Sequence, residues 1–472
     1  MSDSASEVEA SHPPPGLAAR GGWRARDHTR GRLAGSLFVL AVPLVGGSLA
    51  QAGFQLAELG FLSRLGEEPM AAVIIANQSV RQIVTMLVLG GSFGAQALLT
   101  RAIGAGRGEE ADHVAGQVVV LGLGFAIVMA ALGLAVPEAL YAISGPDPAF
   151  AVWGVPYLRL VLVLSFGMVG TMLFGSILGG AGDTTTPLFV TLLQTGIAVL
   201  AEWVLIFGHL GIPALGTDGV ALGIATGQLA AIACAIAILF RGGARVHLRL
   251  RHLRPDPAVL RRIAALAWPP ALQMAGNVVS ILVFLRLTGE FGPKVQAAYA
   301  IGVRLGMIAP MLSFPLASAC STLVGQALGA GDRRRAWRAI GMGVLVHGAL
   351  LWSFAVAIFF LRVEVMQLLA DDPEVIRVGA DYLRYAAGSF ACWAFFAVFV
   401  RALQGAGDVV VPMAISLASA FAVAVPLALL LTRGLGLGPT GVWIASLASS
   451  AFGTSALGAW LATGRWARRA AH

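Results

Sequence analysis

Two carboxylates interrupt long apolar stretches of the sequence. Glu58 lies within the apolar run at residues 34–64, and Glu202 lies near the end of the run at residues 187–208. An ionised side chain at the centre of a bilayer costs roughly 2.5–3.5 kcal/mol on insertion scales, so such acids mark functional sites by default. A carboxyl group removed from water favours its neutral form, and it can release a bound cation when water returns. We interpret Glu58 and Glu202 as reversible sites for H⁺ or Na⁺.

Polar side chains accompany the two acids. Gln51, Gln55 and Glu58 are spaced i, i+4 and i+7, which places them along one face of an α-helix. Asn77, Gln78 and Arg81 lie in the next apolar run, at residues 70–100, and Gln194 and Thr195 lie in the run that contains Glu202. Because polar faces of membrane helices turn away from lipid, we expect these groups to converge inside the first helical bundle. In one alternative Arg81 pairs permanently with Glu58, and Glu202 alone carries the ion.

The elements that must position these residues are transmembrane helices. The chain has 472 residues, of which 57% are hydrophobic and 12% charged, whereas soluble proteins have about a quarter charged residues. Twelve apolar segments are long enough to span a bilayer. They lie at about 34–64, 70–100, 112–137, 151–178, 187–208, 217–240, 257–289, 295–326, 336–361, 374–403, 410–431 and 439–463. The predicted fold class is an all-α integral membrane protein with twelve transmembrane helices.

The distribution of basic residues predicts the orientation. When alternate connections are assigned to opposite sides, 22 Arg fall on the side of the termini and 8 Lys and Arg on the other, with Lys294 the only Lys. The positive-inside rule then places both termini in the cytoplasm, and the protein in the cytoplasmic (inner) membrane. The net charge of +8 therefore reflects the orientation of the protein in the membrane, and we expect no nucleic-acid partner. Seven Arg at residues 241–262 are expected to contact lipid headgroups.

Internal repetition divides the chain into two halves. GAGD at 180–183 recurs at 405–408, and RAIGAGRGEEA from 101 resembles QALGAGDRRRA from 326, both with an offset of 225 residues. We expect two parallel six-helix lobes around a central cleft. The predicted order is a disordered cytoplasmic tail (1–33), an N-terminal lobe (34–240), a basic linker (241–256), a C-terminal lobe (257–464) and a cytoplasmic tail (465–472). The GAGD segments read as tight turns because no Lys-Ser/Thr follows, as a phosphate-binding loop requires.

The acids break the repeat. Glu58 corresponds to Phe284 at an offset of 226, and Glu202 corresponds to Leu427 at 225, so neither acid has a carboxylate counterpart in the second half. The metalloenzyme motif HExxH does not occur, and the three Cys lie in apolar segments without a CxxC. We therefore expect a transporter, with no cofactor beyond its coupling ion, rather than an enzyme.

The sequence resembles the multidrug and toxic compound extrusion (MATE) family. The likeness rests on GFLSRLGEEPMAAVIIA from residue 60, EWVLIFG at 202–208 and the doubled motifs, and it covers residues 34–463. The resemblance implies two six-helix lobes in a V and an antiporter that exports cationic or amphipathic small molecules against H⁺ or Na⁺. It also implies ion coupling at Glu58 and Glu202, where the family usually has Asp, although Ala198 replaces a common Asn. A monomer is expected, and a flippase for lipid-linked precursors is the alternative.

The resemblance also points to one branch of the family. Members resembling NorM add acids in helices seven and ten, where this sequence has Asn277 and Trp393. The sequence is therefore more similar to the DinF-like branch, in which the first lobe couples transport. Thr226, after GVALGIA, matches a polar position of that lobe, while Arg304 in helix eight is a lone charge expected at the cleft or a carbonyl.

Overall fold

The computed structural model describes residues 33–77, 81–143, 148–241 and 245–469, and within these ranges it contains helices and turns but no strand. The predicted N-terminal tail, apart from residue 33, and the last three residues of the C-terminal tail lie outside the described residues. The α-helices are α1 (Leu33–Leu62), α2 (Glu67–Ala76), α3 (Gln82–Gly104), α4 (Gly108–Ala135), α5 (Pro137–Ala142), α6 (Ala151–Val163), α7 (Phe166–Ala181), α8 (Thr185–Phe207), α9 (Gly216–Arg241), α10 (Pro257–Gly289), α11 (Pro293–Gly329), α12 (Arg333–Gln367), α13 (Pro373–Gly405), α14 (Val410–Leu417), α15 (Val425–Leu429), α16 (Pro439–Ala462) and α17 (Arg465–Arg469).

Twelve membrane spans account for most of these helices. Among the described residues, ten helices are long and apolar enough to cross a bilayer, counting residues 410–434 as one. Two further spans are bent: α6 and α7 meet at 48°, and the two halves of α11 meet at 45°. The predicted fold class is confirmed. The second predicted span is divided into α2 and α3.

The GAGD segments are the tight turns that their sequence predicts. Gly182 and Gly407 adopt φ values of 86° and 75°, a left-handed conformation that side chains disfavour. In the first copy the Asp183 carboxylate accepts hydrogen bonds from the backbone N–H of Thr185 and Thr186, at 3.1 and 3.0 Å, and so caps α8. Each turn therefore reverses the chain between two membrane helices.

The two lobes meet where pseudo-equivalent helices cross. The last residue of α3, Gly104, faces the backbone of Gln326 on α11, and Gly329 faces the backbone of Arg101. A Cβ on Gly104 would lie 2.2 Å from the Gln326 carbonyl oxygen, so only glycine permits this approach. We call this crossing the closed end.

The connection between the lobes is more ordered than its composition suggests. The Asp112 carboxylate on α4 accepts a hydrogen bond from the backbone N–H of His247 at 2.8 Å, and Arg251 pairs with Glu109 at 2.7 Å. Arg245 is buried. The described part of the linker, from residue 245 onward, therefore packs on the first lobe, while Arg249, Arg251 and Arg254 are exposed. The expected contact of its Arg side chains with lipid headgroups stays a prediction.

Candidate functional site

Glu58 and Glu202 are both buried inside the first lobe. Glu58 lies on α1 and is 7% exposed, while Glu202 lies on α8 and has no exposed surface. Both carboxylate oxygens of Glu202, and one of Glu58, are buried without a hydrogen-bond partner among the described residues. The two acids lie close enough to interact electrostatically with each other and with Arg81. The structure thus brings together the two acids that the sequence singled out.

The position of Glu202 is fixed by a close crossing of α8 and α9. Gly223 on α9 meets the Glu202 backbone, and Gly219 and Gly227 continue the same contact face one turn to either side. Small residues at this spacing let two helices approach closely. The backbone that carries Glu202 is therefore held by packing, although its carboxylate is not held by hydrogen bonds.

Asn77 links the acid cluster to Tyr157, whose counterpart at an offset of 225 is Tyr382. The side-chain carbonyl of Asn77 accepts hydrogen bonds from Arg81 Nη1 at 3.0 Å and from the Tyr157 hydroxyl at 2.9 Å. Tyr157 is fully buried and lies within electrostatic reach of Glu58 and Glu202. No ion pair joins Arg81 to either acid among the described side chains, so the alternative of a permanent Arg81–Glu58 pair gains no support from this structure.

The other predicted residues are divided between the lobe interior, the cleft and the surface. Thr195 is buried, with its hydroxyl bonded to the backbone of its own helix at Thr191, and Gln194 is half-buried. Gln51 lines the cavity between the lobes. Gln55, Thr226 and Arg304 are exposed, which corrects the expectation that Gln55 joins the acids inside the bundle. Gln78 lies outside the described residues.

The second lobe has an aromatic cavity in place of the acid cluster. Phe284 and Tyr382, the repeat counterparts of Glu58 and Tyr157, both line a cavity of about 410 Å³. Asn277 and Trp393 line the same cavity, and its remaining polar lining consists mainly of hydroxyl groups. The lining residues described there include no carboxylate.

A second cavity of about 350 Å³ lies between the lobes, above the closed end. It is lined by α1, α3, α7 and α8 of the first lobe and by α11 and α13 of the second. Among the described residues of this lining, Arg401 on α13 is the only charged one. Sequence reasoning missed it, because Arg401 was counted with the basic residues that set the orientation. Its counterpart at an offset of 225 is Ser176, which lines the same cavity. A comparison of the two repeats could therefore have identified Arg401 as a charge that the first half lacks.

Two helical lobes, a cavity between them and a pair of acids buried within membrane helices are the features of a secondary membrane transporter. The sequence profile of the MatE family matches residues 43–204 and 269–430, one match to each half. These segments cover more than half of the chain, which therefore belongs to the MatE family of transporters and is not an enzyme.

Relatives and solved structures agree with this assignment. The chain is 24% identical to a probable multidrug resistance protein NorM of Thermotoga maritima, over 92% of this chain and 93% of that protein. A NorM of Agrobacterium fabrum is 28% identical over 86% and 88%. The fold superposes on a crystal structure of MATE in the bent conformation with a TM-score of 0.85 at 20% identity, covering 94% and 98% of the two chains. The resemblance to the DinF-like branch stays a prediction.

Proposed function

We propose that the protein is an antiporter that exports amphipathic small molecules in exchange for H⁺ or Na⁺, with Glu58 and Glu202 binding the coupling ion. Both relatives named above are described as probable multidrug resistance proteins, which supports drug-like substrates. Cationic compounds are the substrates that the resemblance to MATE transporters led us to expect. No cofactor besides the coupling ion is invoked.

The observation that carries the proposal is the Glu202 carboxylate, whose two oxygens are buried without a hydrogen-bond partner in the part of the chain that the structure describes. An ionised carboxylate in this position lacks the donors that normally offset its desolvation. Binding of a proton removes the charge, and binding of Na⁺ supplies the missing counter-ion. Glu202 is therefore suited to bind the coupling ion during one part of the transport cycle and to release it during the other.

The proposed cycle couples the acid cluster to movement of the lobes. With the cleft open to the outside, Glu58 or Glu202 binds H⁺ or Na⁺ as substrate leaves; with the cleft open to the inside, the ion is released. One charge moving across 100 mV supplies about 2.3 kcal/mol, enough for a substrate gradient of more than tenfold. The closed end, where α3 crosses α11, is the contact that must separate when the cleft opens on that side.

The orientation follows from the excess of Arg on the side of the termini, which places both termini and the closed end in the cytoplasm of a cell with an inner membrane. We propose that one chain is sufficient, because each chain has its own acid cluster and its own cavity between two lobes.

The flippase alternative is less well supported. A phospholipid-like headgroup that crosses a cleft requires a continuous path of basic residues. The described lining of the cavity between the lobes offers one guanidinium, that of Arg401, while Arg304 is exposed.

The proposal is tested by reconstituting the full chain in liposomes and imposing a proton gradient and a sodium gradient separately. Flux of ethidium, a fluorescent cation, and of dansylglycine, an anionic amphiphile, is recorded under each gradient. We expect one gradient to drive export of at least one probe. If neither gradient changes the flux, and the flux equals that of liposomes without protein, the antiport mechanism is contradicted.

A further inference from the structure

We propose that the floor of the cavity between the lobes binds an oxyanion, such as a carboxylate, of an amphipathic substrate, with Arg401 as its anchor. This inference rests on the proposed export function and specifies the substrate class: anionic amphiphiles rather than organic cations. Arg401 would be the specificity-determining residue.

Arg401 is a buried cation held by neutral partners alone. It is 4% exposed, and its Nη1 donates to the Gln404 side-chain carbonyl at 3.0 Å. Its Nη2 donates to the Ser318 hydroxyl at 2.9 Å and to the Gln96 side-chain carbonyl at 3.4 Å. Among the described residues no carboxylate forms an ion pair with it. The positive charge is thus left without an anion.

One donor of this guanidinium is left unpaired. The Arg401 Nε–H is buried and has no hydrogen-bond partner among the described residues. Burying a charge without a counter-ion is costly, and a donor without an acceptor adds to that cost. An oxyanion in the cavity would offset both, because carboxylate and guanidinium form charge-assisted hydrogen bonds. The site therefore lacks a counter-ion and a hydrogen-bond acceptor, and an anionic substrate would supply both.

The rest of the cavity suits the apolar part of an amphiphile. The guanidinium carbon of Arg401 lies 4.0 Å from the ring centre of Phe93 and 5.0 Å from that of Phe314, and both rings line the cavity. Leu89, Met172 and Leu188 add apolar surface. No lining residue offers a carboxylate to an organic cation. An aromatic or aliphatic body with one anionic group matches this lining.

Comparison of the two repeats shows that this site and the acid cluster belong to different lobes. At an offset of 225 residues Arg401 corresponds to Ser176 on α7, a neutral residue that also lines the cavity. Each lobe thus carries charge that its counterpart lacks: acids inside the first lobe, and one guanidinium from the second lobe at the cleft. We infer that ion coupling and substrate anchoring use different lobes.

The test is equilibrium binding to the purified full chain in detergent, followed by dansyl fluorescence without any ion gradient. Dansylglycine carries a carboxylate, and dansylglycinamide is its neutral amide. We expect the wild type to bind the carboxylate at least about tenfold more tightly than the amide, since hydrogen bonds between ionised partners are stronger than those to a neutral amide. Arg401→Gln should abolish the difference, and Arg401→Lys should keep part of it.

Equal affinity of the wild type for the two probes would overturn the proposal, and this comparison needs no variant to fold. Tighter binding of cationic dansylcadaverine than of dansylglycine, or an unchanged carboxylate preference in Arg401→Gln, would also overturn it. The double variant Glu58→Gln/Glu202→Gln should lose coupled transport and keep the preference for carboxylate. Failure of the anion site is therefore distinguishable from failure of the antiport mechanism.

Discussion

Glu202 and Gly223 are in direct contact where α8 crosses α9. A Cβ on Gly223 would lie 2.5 Å from Glu202 Cγ and 2.8 Å from Glu202 Cα, distances that real side chains do not tolerate. The glycine therefore allows the backbone of the ion-binding acid to pack against its neighbour, and the acid can occupy the lobe interior without a hydrogen bond to hold it.

Gly223→Ala is expected to displace Glu202 and to lower both stability and transport. The added methyl overpacks the crossing, which costs about 1–3 kcal/mol in tightly packed interiors. Thermal unfolding in detergent should occur at a lower temperature, and gradient-driven flux should fall about tenfold or more. Gly196→Ala on α8 is the matched control, because a Cβ there meets no atom within 4 Å. Equal behaviour of the two variants would contradict the packing argument.

Tyr157→Phe is expected to slow transport without unfolding the protein. The change removes the hydrogen bond to Asn77, worth about 1 kcal/mol, and leaves the Asn77 carbonyl with Arg81 as its donor. Flux should fall several-fold, while the unfolding temperature changes little. Tyr382→Phe in the aromatic cavity is the counterpart control and should transport normally. If the Tyr157→Phe protein is as active as the wild type, Tyr157 has no role in ion coupling.

Gln117→Leu is expected to destabilise the junction between the lobes. Gln117 donates to the carbonyls of His252 and Arg254, at 2.9 and 2.7 Å, and accepts from the backbone N–H of Asp256 at 2.8 Å. Leaving three backbone groups unpaired should lower the free energy of unfolding by about 2 kcal/mol or more. Thermal unfolding measures the loss, with Gln367→Leu at an exposed position of α12 as the control. No difference between the variants would show that the linker does not depend on Gln117.

Asp256, just before α10, is expected to stabilise the linker in a pH-dependent way. A hydrogen bond with His113 and the backbone N–H groups of Val259 and Ala258 lower the pKa of Asp256. Its contribution is therefore complete above the ordinary Asp range, about pH 4, and is lost as the pH falls through the lowered pKa. The difference in unfolding temperature between wild type and Asp256→Asn should shrink below about pH 4. A difference independent of pH would contradict this role.

The sequence predicted the spans and the acids, but not the faces on which single side chains lie. Hydropathy and the repeat specify helices, and the cost of a buried charge marks Glu58 and Glu202. Gln55 shares a broad helical face with Glu58 yet is exposed, because inter-helix contact covers only part of that face. Arg401 is one turn from a loop, and only packing against the first lobe reveals that it lines the cleft.

The most direct test of the central claim is gradient-driven flux in liposomes by Glu58→Gln and Glu202→Gln, with Glu138→Gln as the control because that carboxylate is exposed and paired with Arg159. We predict that Glu202→Gln loses the flux, that Glu58→Gln is strongly reduced, and that Glu138→Gln matches the wild type. Full gradient-driven flux in both Glu58→Gln and Glu202→Gln would contradict ion coupling by the first lobe.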